Sequence, residues 1–178
     1  MTRTSSITVL NIVVPCYNEE EALPETSRRL SELLDRMAKD CLIEPSSGVY
    51  FVDDGSCDQT WNVIVSLRTS QPSRFHGIKL SRNRGHQNAL LAGLRNAPGD
   101  IVVSIDADLQ DDIDAIEQMV REFHAGCDIV YGVREGRDAD TLFKRKTACL
   151  YYKLLKQLGV EIVPHHADFV TAQVFQRG

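Results

Sequence analysis

Strand-like and helix-like segments alternate along this chain, and this alternation constrains its fold more than any other feature. The strand-like segments are short, apolar and rich in β-branched residues, and they cover residues 7–14, 48–52, 75–80, 100–105 and 127–134. Helix-like segments follow them at residues 20–40, 58–70, about 85–96, 114–126 and 141–159. Strands that alternate with helices form a mostly parallel sheet covered by helices on both faces. The sequence therefore predicts a Rossmann-like α/β fold.

Length and composition favour one globular domain over residues 1–178. The chain is 43% hydrophobic, which is enough for a core. Its net charge of −5 argues against a nucleic-acid partner, because nucleic-acid-binding proteins usually have a basic excess. The five cysteines form no CxxC pair, and no apolar run is long enough to span a membrane. We therefore expect a cytoplasmic protein with free thiols. The oligomeric state stays open, with a homo-oligomer among the options.

A cluster of polar residues follows each predicted strand. In chain order the clusters are PCYNEE, DDGS, SRNRGHQ, DADLQDD and REGR. The carboxyl ends of parallel strands meet at one edge of a sheet, and ligands bind at that edge in open α/β folds. The sequence therefore predicts a binding site built from these loops.

The densest group of charges is the stretch SIDADLQDD. Asp106 and Asp108 are two positions apart on an extended segment, so their carboxylates can lean toward a common point. Such oxygen ligands suit Mg²⁺ or Mn²⁺, which would be shared with phosphate oxygens. Asp111 and Asp112 are better interpreted as the start of the next helix, where negative charge meets the positive end of the dipole. Asp106 and Asp108 lie too far upstream for that role.

The turn DDGS allows two interpretations. Asp53 or Asp54 can accept hydrogen bonds from a ribose or a base, or the pair can form a turn that caps the next helix. Because Asp58 is a plausible cap for that helix, Asp53 or Asp54 would remain for a ligand. His86, in the following loop, is interpreted as a local hydrogen-bonding residue rather than a ligand.

Cations are concentrated between residues 134 and 156. They are Arg134, Arg137, Lys144, Arg145, Lys146, Lys153 and Lys156. Arginine side chains recognise phosphates with two parallel hydrogen bonds. The predicted helix 141–159 is basic and amphipathic, so core packing is the favoured use of its apolar face and contact with an anionic membrane surface is the alternative.

In this order, the loops resemble those of family 2 glycosyltransferases with the GT-A fold. The closest resemblance is to polyprenyl-phosphate hexosyltransferases, which include dolichol-phosphate mannose synthases and bactoprenol glucosyltransferases. The matching stretches are VVPCYNEEEAL (13–23), FVDDGSCDQT (51–60), LSRNRGHQNALLAGL (80–94), GDIVVSIDADLQDD (99–112), DIVYGVREGR (128–137) and FKRKTACLYYKLL (143–155). Each stretch is unspecific alone, but together they are highly specific.

The resemblance implies a site for a nucleotide-sugar donor. Pro15, Tyr17 and Glu19 match the loop that holds the base and ribose, and Asp53 and Asp54 match the acidic turn that also contacts the nucleoside.

It also implies the groups that handle metal and phosphate. Asp106, Asp108 and Gln110 match the residues that hold a divalent cation, Mg²⁺ or Mn²⁺, on the donor pyrophosphate. Arg134 and Arg145 match arginines that grip the acceptor and donor phosphates.

The implied reaction is inverting transfer of a hexose from a UDP-glucose or GDP-mannose type donor to polyprenyl phosphate. A phosphate acceptor is already anionic and needs no strong general base. A saccharide hydroxyl, as in cell-surface polysaccharide synthesis, is the alternative acceptor and would need such a base. Asp168 in HADF matches an aspartate near the acceptor and is the candidate for that role. A non-catalytic nucleotide-binding remnant is the third hypothesis.

The chain departs from the family pattern at several positions. Asp112 and Ile113 replace the usual prolines, and Cys149 replaces a serine. After HADF the family usually continues with an arginine-containing segment, further helices and often membrane spans, whereas this chain reads VTAQVFQRG. The resemblance therefore predicts a GT-A domain shortened at its C-terminus, whose full-length relatives sit at the cytoplasmic face of the membrane.

Overall fold

The computed structural model describes residues 7–108, 112–127, 129–131 and 173–176. All of them belong to one compact unit, which comprises residues 1–132 and 171–178. The elements in chain order are β1 (Leu10–Cys16), α1 (Leu23–Lys39), β2 (Gly48–Asp53), α2 (Thr60–Ser70), β3 (Phe75–Lys79), α3 (His86–Asn96), β4 (Ile101–Ser104), α4 (Ala115–His124), β5 (Ile129–Tyr131) and β6 (Gln173–Gln176). That the whole chain forms a single domain stays a prediction.

The described strands form one sheet in the order β3-β2-β1-β4-β6-β5. Strands β1 to β4 pair in parallel with one another, as the alternation predicts. The order 3-2-1-4 is that of dinucleotide-binding folds. In the register, Cys16 is opposite Asp53, and Asp53 is opposite Lys79. The loops that leave these strands therefore start side by side at one edge.

Strand β6 is absent from the sequence-based prediction. The C-terminal stretch VTAQVFQRG reads there only as the end of a shortened domain. Its residues Gln173–Gln176 pair antiparallel with both β4 and β5 and so lie between them in the sheet. Four residues joined to the sheet by long-range pairing have no strong local signature.

Apolar side chains are buried on both faces of the sheet. Successive side chains of a strand point to opposite faces, and each face is covered by helices. Leu10, Ile12 and Val14 of β1 join one cluster with apolar residues of α1, α2 and α4. Val13 belongs to a smaller cluster on the other face, formed with residues of α3. The helices thus cover the sheet on both sides, as predicted.

The helix starts differ in detail from the prediction. Helix α1 begins at Leu23 rather than residue 20, with Pro24 in its first turn, where a missing N–H costs nothing. Asp58 is not the cap of α2, because Gln59 occupies that position and makes no side-chain capping bond. The Asp58 carboxylate instead accepts hydrogen bonds from the backbone N–H groups of Thr60 and Glu20.

The helix predicted at 114–126 is α4, and it lies between a turn and a glycine. Asp112 Oδ1 accepts the backbone N–H of Asp114 at 3.0 Å, so Asp112 shapes the turn that leads into the helix. Gly126, two residues after the last helical residue, has φ +114°, a conformation that ends helices. Asp111 lies outside the described residues, as do the predicted helix 141–159 and the end of the predicted fifth strand.

Two further expectations concern the described residues only. Cys16, Cys41, Cys57 and Cys127 are free thiols, as predicted. Within the described part of the chain, no helix is both long enough and apolar enough to cross a bilayer.

Gly93 lets α3 pack directly on the sheet. A Cβ atom at this position would overlap a methyl group of Val13 and stand 3.0 Å from a methyl group of Val52. Both valines are buried and β-branched, so neither side chain can easily move away. A side chain larger than hydrogen at position 93 would therefore push the helix off the sheet.

We predict that Gly93→Ala lowers the free energy of unfolding by about 1–3 kcal/mol, the usual cost of overpacking. This loss should outweigh the roughly 1 kcal/mol that alanine gains over glycine inside a helix. Urea denaturation of the full chain measures the change. In a Val13→Ala background the overlap with Val13 disappears and the 3.0 Å contact with Val52 remains, so the same substitution should cost much less there. An equal loss in both backgrounds would contradict the explanation.

Candidate functional site

A cleft of about 340 Å³ lies at the carboxyl edge of the parallel strands. It is lined by the last two residues of β1, by residues of the loops that follow β1 to β4, and by the first residue of α3, namely Pro15, Cys16, Tyr17, Glu19, Asp54, Asn83, Gly85, His86, Asp106, Ala107 and Asp108. Four of the five predicted polar loops thus meet in one place, and the fifth, REGR, lies outside the described residues. The predicted site residues that line the cleft are Pro15, Tyr17, Glu19, Asp54, Asp106 and Asp108.

The loop after β1 is fastened to the turn after β2. The backbone N–H of Asn18 donates to Ser56 Oγ at 2.9 Å, and Asn18 Oδ1 accepts the backbone N–H of Cys57 at 2.9 Å. The backbone N–H of Glu19 donates to Thr60 Oγ1 at 2.8 Å. Asn18 has φ +55°, a left-handed conformation that asparagine tolerates. Glu19 is therefore held at the cleft by its backbone.

The loop after β3 is fastened to the same turn. Asp54 Oδ1 accepts the backbone N–H of Arg84 at 2.7 Å, and Asp54 Oδ2 accepts that of Gly85 at 2.8 Å. Gly55 allows the close approach, because a Cβ atom there would stand 2.5 Å from the backbone carbon of Arg82. Its φ of +72° also favours glycine. The turn 53–56 thus holds both the loop after β1 and the loop after β3 through hydrogen bonds.

Asp53 lies beneath the cleft rather than among its lining residues. Its side chain is fully buried, and Oδ1 accepts the backbone N–H of Ser56 at 3.0 Å. Oδ2 has no hydrogen-bond donor among the described residues, and Lys79 Nζ stands 4.0 Å away. A buried carboxylate oxygen without a donor is unfavourable and rare in native proteins. The carboxylate of Asp53 is thus only partly hydrogen-bonded within the described residues.

The loop after β4 directs two carboxylates into the cleft. Ala107 is buried, and its carbonyl oxygen accepts a hydrogen bond from Thr26 Oγ1 of α1 at 2.7 Å. With Ala107 turned inward, Asp106 and Asp108 on either side of it are exposed at the cleft. The spacing of two residues therefore has the predicted effect of bringing both carboxylates to one place.

Negative charge accumulates on this side of the cleft. The pKa of Glu19 is raised, first by partial burial and then by the charges of Asp108, Asp58 and Asp106. A group of carboxylates that creates such a negative potential attracts cations.

The donor set fits Mg²⁺ or Mn²⁺ in part. Within the described residues, no three acidic, histidine or cysteine side chains form a ready-made metal centre. Mg²⁺ is often held by only one or two carboxylates, with waters and substrate phosphates completing its shell. Asp106 and Asp108 match that pattern. Gln110, predicted as a third ligand, lies outside the described residues.

Cys16 lines the cleft but is not suited to act as a nucleophile. Burial raises the pKa of its thiol well above the usual range, and the charges of Glu19 and Asp53 raise it further. Nucleophilic cysteines need the thiolate, which a raised pKa disfavours. Cys16 is therefore a packing residue at the floor of the site.

The wall opposite the two aspartates contains residues that the sequence-based reasoning missed. Asn83, Gly85 and His86 line it, and His86 Nε2 stands 3.8 Å from Asp106 Oδ1. We interpreted His86 from the sequence as a local hydrogen-bonding residue. Its place at the end of the loop that joins β3 to α3 is the signal that could have identified it, because the other cleft residues also follow the carboxyl ends of strands.

Three further predicted site residues, Arg134, Arg145 and Asp168, lie outside the described residues. Their roles in phosphate binding and proton transfer stay predictions.

The sequence of this chain matches known proteins over most of its length. Residues 11–174 match the family model Glycosyl transferase family 2. An uncharacterized glycosyltransferase of Bacillus subtilis (strain 168), YkoT, is 50% identical over 163 residues, which are 90% of this chain and 48% of that protein. The bactoprenol glucosyl transferase of Shigella phage SfV is 40% identical over 164 residues, which are 90% of this chain and 50% of that protein. The chain thus spans about half the length of these relatives.

A solved structure confirms the predicted GT-A fold. The mannosyltransferase PcManGT from Pyrobaculum calidifontis, in complex with GDP-Man and Mn²⁺, aligns with a TM-score of 0.65 at 22% identity. The alignment covers 97% of this chain and 46% of that one. The fold, the cleft at the carboxyl edge and the match over residues 11–174 agree, and this chain belongs to glycosyl transferase family 2.

Proposed function

We propose that this chain binds a nucleotide-diphosphate sugar and belongs to an inverting, metal-dependent glycosyltransferase that passes a hexose to polyprenyl phosphate. The observation that carries the proposal is the cleft in which Asp106 and Asp108 meet the loops after β1 and β3. Membership of the family supports glycosyl transfer. The relative named as a bactoprenol glucosyl transferase supports a polyprenyl acceptor.

The loop after β1 would hold the nucleoside. Tyr17 exposes 45% of its surface at the cleft, and an exposed aromatic ring suits stacking against a base. Pro15 and Glu19 complete this side. Asp53 is also proposed to contact the nucleoside, because its Oδ2 has Lys79 Nζ at 4.0 Å but no hydrogen-bond donor among the described residues.

Asp106 and Asp108, with Gln110 as a predicted third ligand, would hold the divalent cation. When bound, Mg²⁺ or Mn²⁺ would supply positive charge next to the leaving diphosphate. The chain itself fixes the two carboxylates through the buried Ala107 and its bond to Thr26. The negative charge that raises the pKa of Glu19 favours a cation at this place.

The proposed reaction is a single displacement at the anomeric carbon. The acceptor oxygen forms the new bond as the nucleoside diphosphate leaves, which inverts the configuration. A lipid phosphate needs no general base, whereas a saccharide hydroxyl needs one such as Asp168. Arg134 and Arg145 are proposed to hold the phosphates, because guanidinium groups match phosphate geometry. Transfer to a saccharide hydroxyl is the alternative function.

We predict that Asp106→Asn and Asp108→Asn each weaken Mn²⁺-dependent binding of UDP or GDP by at least about 100-fold. Loss of an outer-shell partner already costs about 10–100-fold in metal affinity, so loss of a ligand should cost no less. Titration calorimetry with and without Mn²⁺ measures the effect. Asp112→Asn is the matched control, because Asp112 lies in the next turn and does not line the cleft. Unchanged nucleotide binding in both cleft variants would refute the metal site.

We predict that the acceptor is a polyprenyl phosphate. The full chain, incubated with Mn²⁺ and radiolabelled UDP-glucose or GDP-mannose, should transfer label to undecaprenyl phosphate and not to oligosaccharides. Thin-layer chromatography separates the two products. Label on the oligosaccharide alone would establish the alternative function, and nucleotide binding without any transfer or donor hydrolysis would identify a non-catalytic binding domain.

A further inference from the structure

We propose that Asp54 is a positioning residue of the donor cleft. Its carboxylate holds loop 82–86 as the wall opposite Asp106 and Asp108, and Asp54 acts on the donor through that loop rather than by touching it. The inference rests on the proposed function, because the donor is the ligand whose binding the wall would serve.

The hydrogen bonds of Asp54 are made to the backbone of the protein itself. Its two carboxylate oxygens accept backbone N–H groups of Arg84 and Gly85 at 2.7 and 2.8 Å. Its own backbone N–H donates to the carbonyl oxygen of Cys16 at 2.8 Å, which ties it to the end of β1. Only 3% of Asp54 is exposed. Hydrogen bonds to an ionised group are stronger than neutral ones, so this link is stiff.

Loop 82–86 is held at its tip by hydrogen bonds rather than by apolar packing. All five of its residues are exposed, so apolar burial does not fix the loop. Gly85 has φ +88°, and its N–H also donates to Asn83 Oδ1 inside the loop itself. Towards α3, its carbonyl oxygen accepts the N–H groups of Asn88 and Ala89, and the carbonyl oxygen of Arg84 accepts Asn88 Nδ2. The close packing of Gly55 against Arg82 and Asn83 places the backbone but supplies no polar partner. The two bonds to Asp54 are therefore the ones that tie the tip of the loop to the turn 53–56 and so to the end of β2.

The wall matters because it stands close to the acidic residues. His86, at the end of the loop, lies 3.8 Å from Asp106, with about half of each side chain exposed. If the loop loosened, His86 and Gly85 would no longer border the cleft in one arrangement. Binding a donor would then require the loop to be ordered first, which lowers affinity.

Hydrogen exchange on the unmodified chain gives the first test. The amides of Arg84 and Gly85 belong to exposed residues, yet they should exchange much more slowly than unprotected amides, because both are bonded to a buried carboxylate. Gln87 and its neighbours in the first turn of α3 give the local comparison. Exchange of both amides at the rate of an open loop would overturn the proposal without any variant.

The second test uses Asp54→Asn in the full chain. Asparagine keeps the shape but has one acceptor oxygen, so one of the two N–H groups would face an NH₂ group. We expect the exchange of Arg84 and Gly85 to accelerate and the affinity for Mn²⁺ with UDP or GDP to fall about tenfold, the usual effect of losing one hydrogen bond to a charged group. Paramagnetic broadening of the His86 ring protons by Mn²⁺ should decrease as well, which a general loss of stability would not produce.

Asp100→Asn is the matched control. Asp100 Oδ2 also accepts a backbone N–H, that of Val9 at 2.8 Å, but at the opposite edge of the sheet. The Asp100→Asn variant should leave the nucleotide affinity and the Mn²⁺ broadening of the His86 ring protons unchanged. If Asp54→Asn fails to fold, Gly55→Ala provides a second variant that displaces the same loop while keeping Asp54, and it should produce the same three changes.

The outcomes separate the two proposals. If the unmodified chain binds neither nucleotide with Mn²⁺, the proposed function fails. The exchange rates still show whether Asp54 holds the amides of Arg84 and Gly85. If Asp54→Asn weakens binding but leaves exchange and His86 broadening unchanged, Asp54 is a direct donor contact and the positioning role is wrong. Binding, exchange and broadening all equal to those of the unmodified chain would also overturn it.

Discussion

The turn 53–56 at the end of β2 supports the loops on both sides of it. Ser56 binds the loop that leaves β1, and Asp54 binds the loop that leaves β3. This is possible because β2 lies between those two strands in the sheet. Every residue of the turn takes part, since Asp53 bonds to Ser56 and Gly55 leaves room for the loop after β3. The shape of the cleft depends on this one turn.

The cleft combines a well-bonded frame with a group of exposed carboxylates. The carboxylate of Asp54 is buried and accepts two hydrogen bonds, whereas Asp106 and Asp108 are exposed next to Glu19, whose pKa they raise. A protein selected only for stability would not collect carboxylates in this way. The hydrogen-bonded groups fix the positions of the loops. The clustered carboxylates mark the place where a cation and an anionic donor are proposed to bind.

The sequence predicted the parts of this arrangement that depend on local pattern. The alternation of elements and the polar loops after each strand could be read because each is a property of a few consecutive residues. The exposure of Asp106 and Asp108 at the same cleft followed from their spacing of two positions. Strand β6 could not be found this way, since its pairing with β4 and β5 joins residues far apart in the chain.

The different roles of Asp53 and Asp54 could also not be predicted from the sequence. The two residues are identical and adjacent, so composition and spacing give no reason to separate them. The structure separates them by direction: Asp53 points into the protein beside Lys79, and Asp54 reaches the loop after β3. The one local hint was Gly55, because a glycine directly after them indicates a close backbone approach. Such assignments require the tertiary contacts.

The free energies of two contacts can be compared to decide which of them fixes the position of the cleft wall formed by loop 82–86. The pair of His86 and Asp106 spans 3.8 Å between half-exposed side chains, and exposed pairs of this kind contribute about 0–1 kcal/mol. A hydrogen bond to a charged group contributes about 1.5–3 kcal/mol, and Asp54 makes two of them in a buried place. The wall therefore owes its position to Asp54 rather than to the pair across the cleft. Because that pair is weak, His86 and Asp106 can exchange each other for a ligand at little cost, while the backbone behind them stays in place.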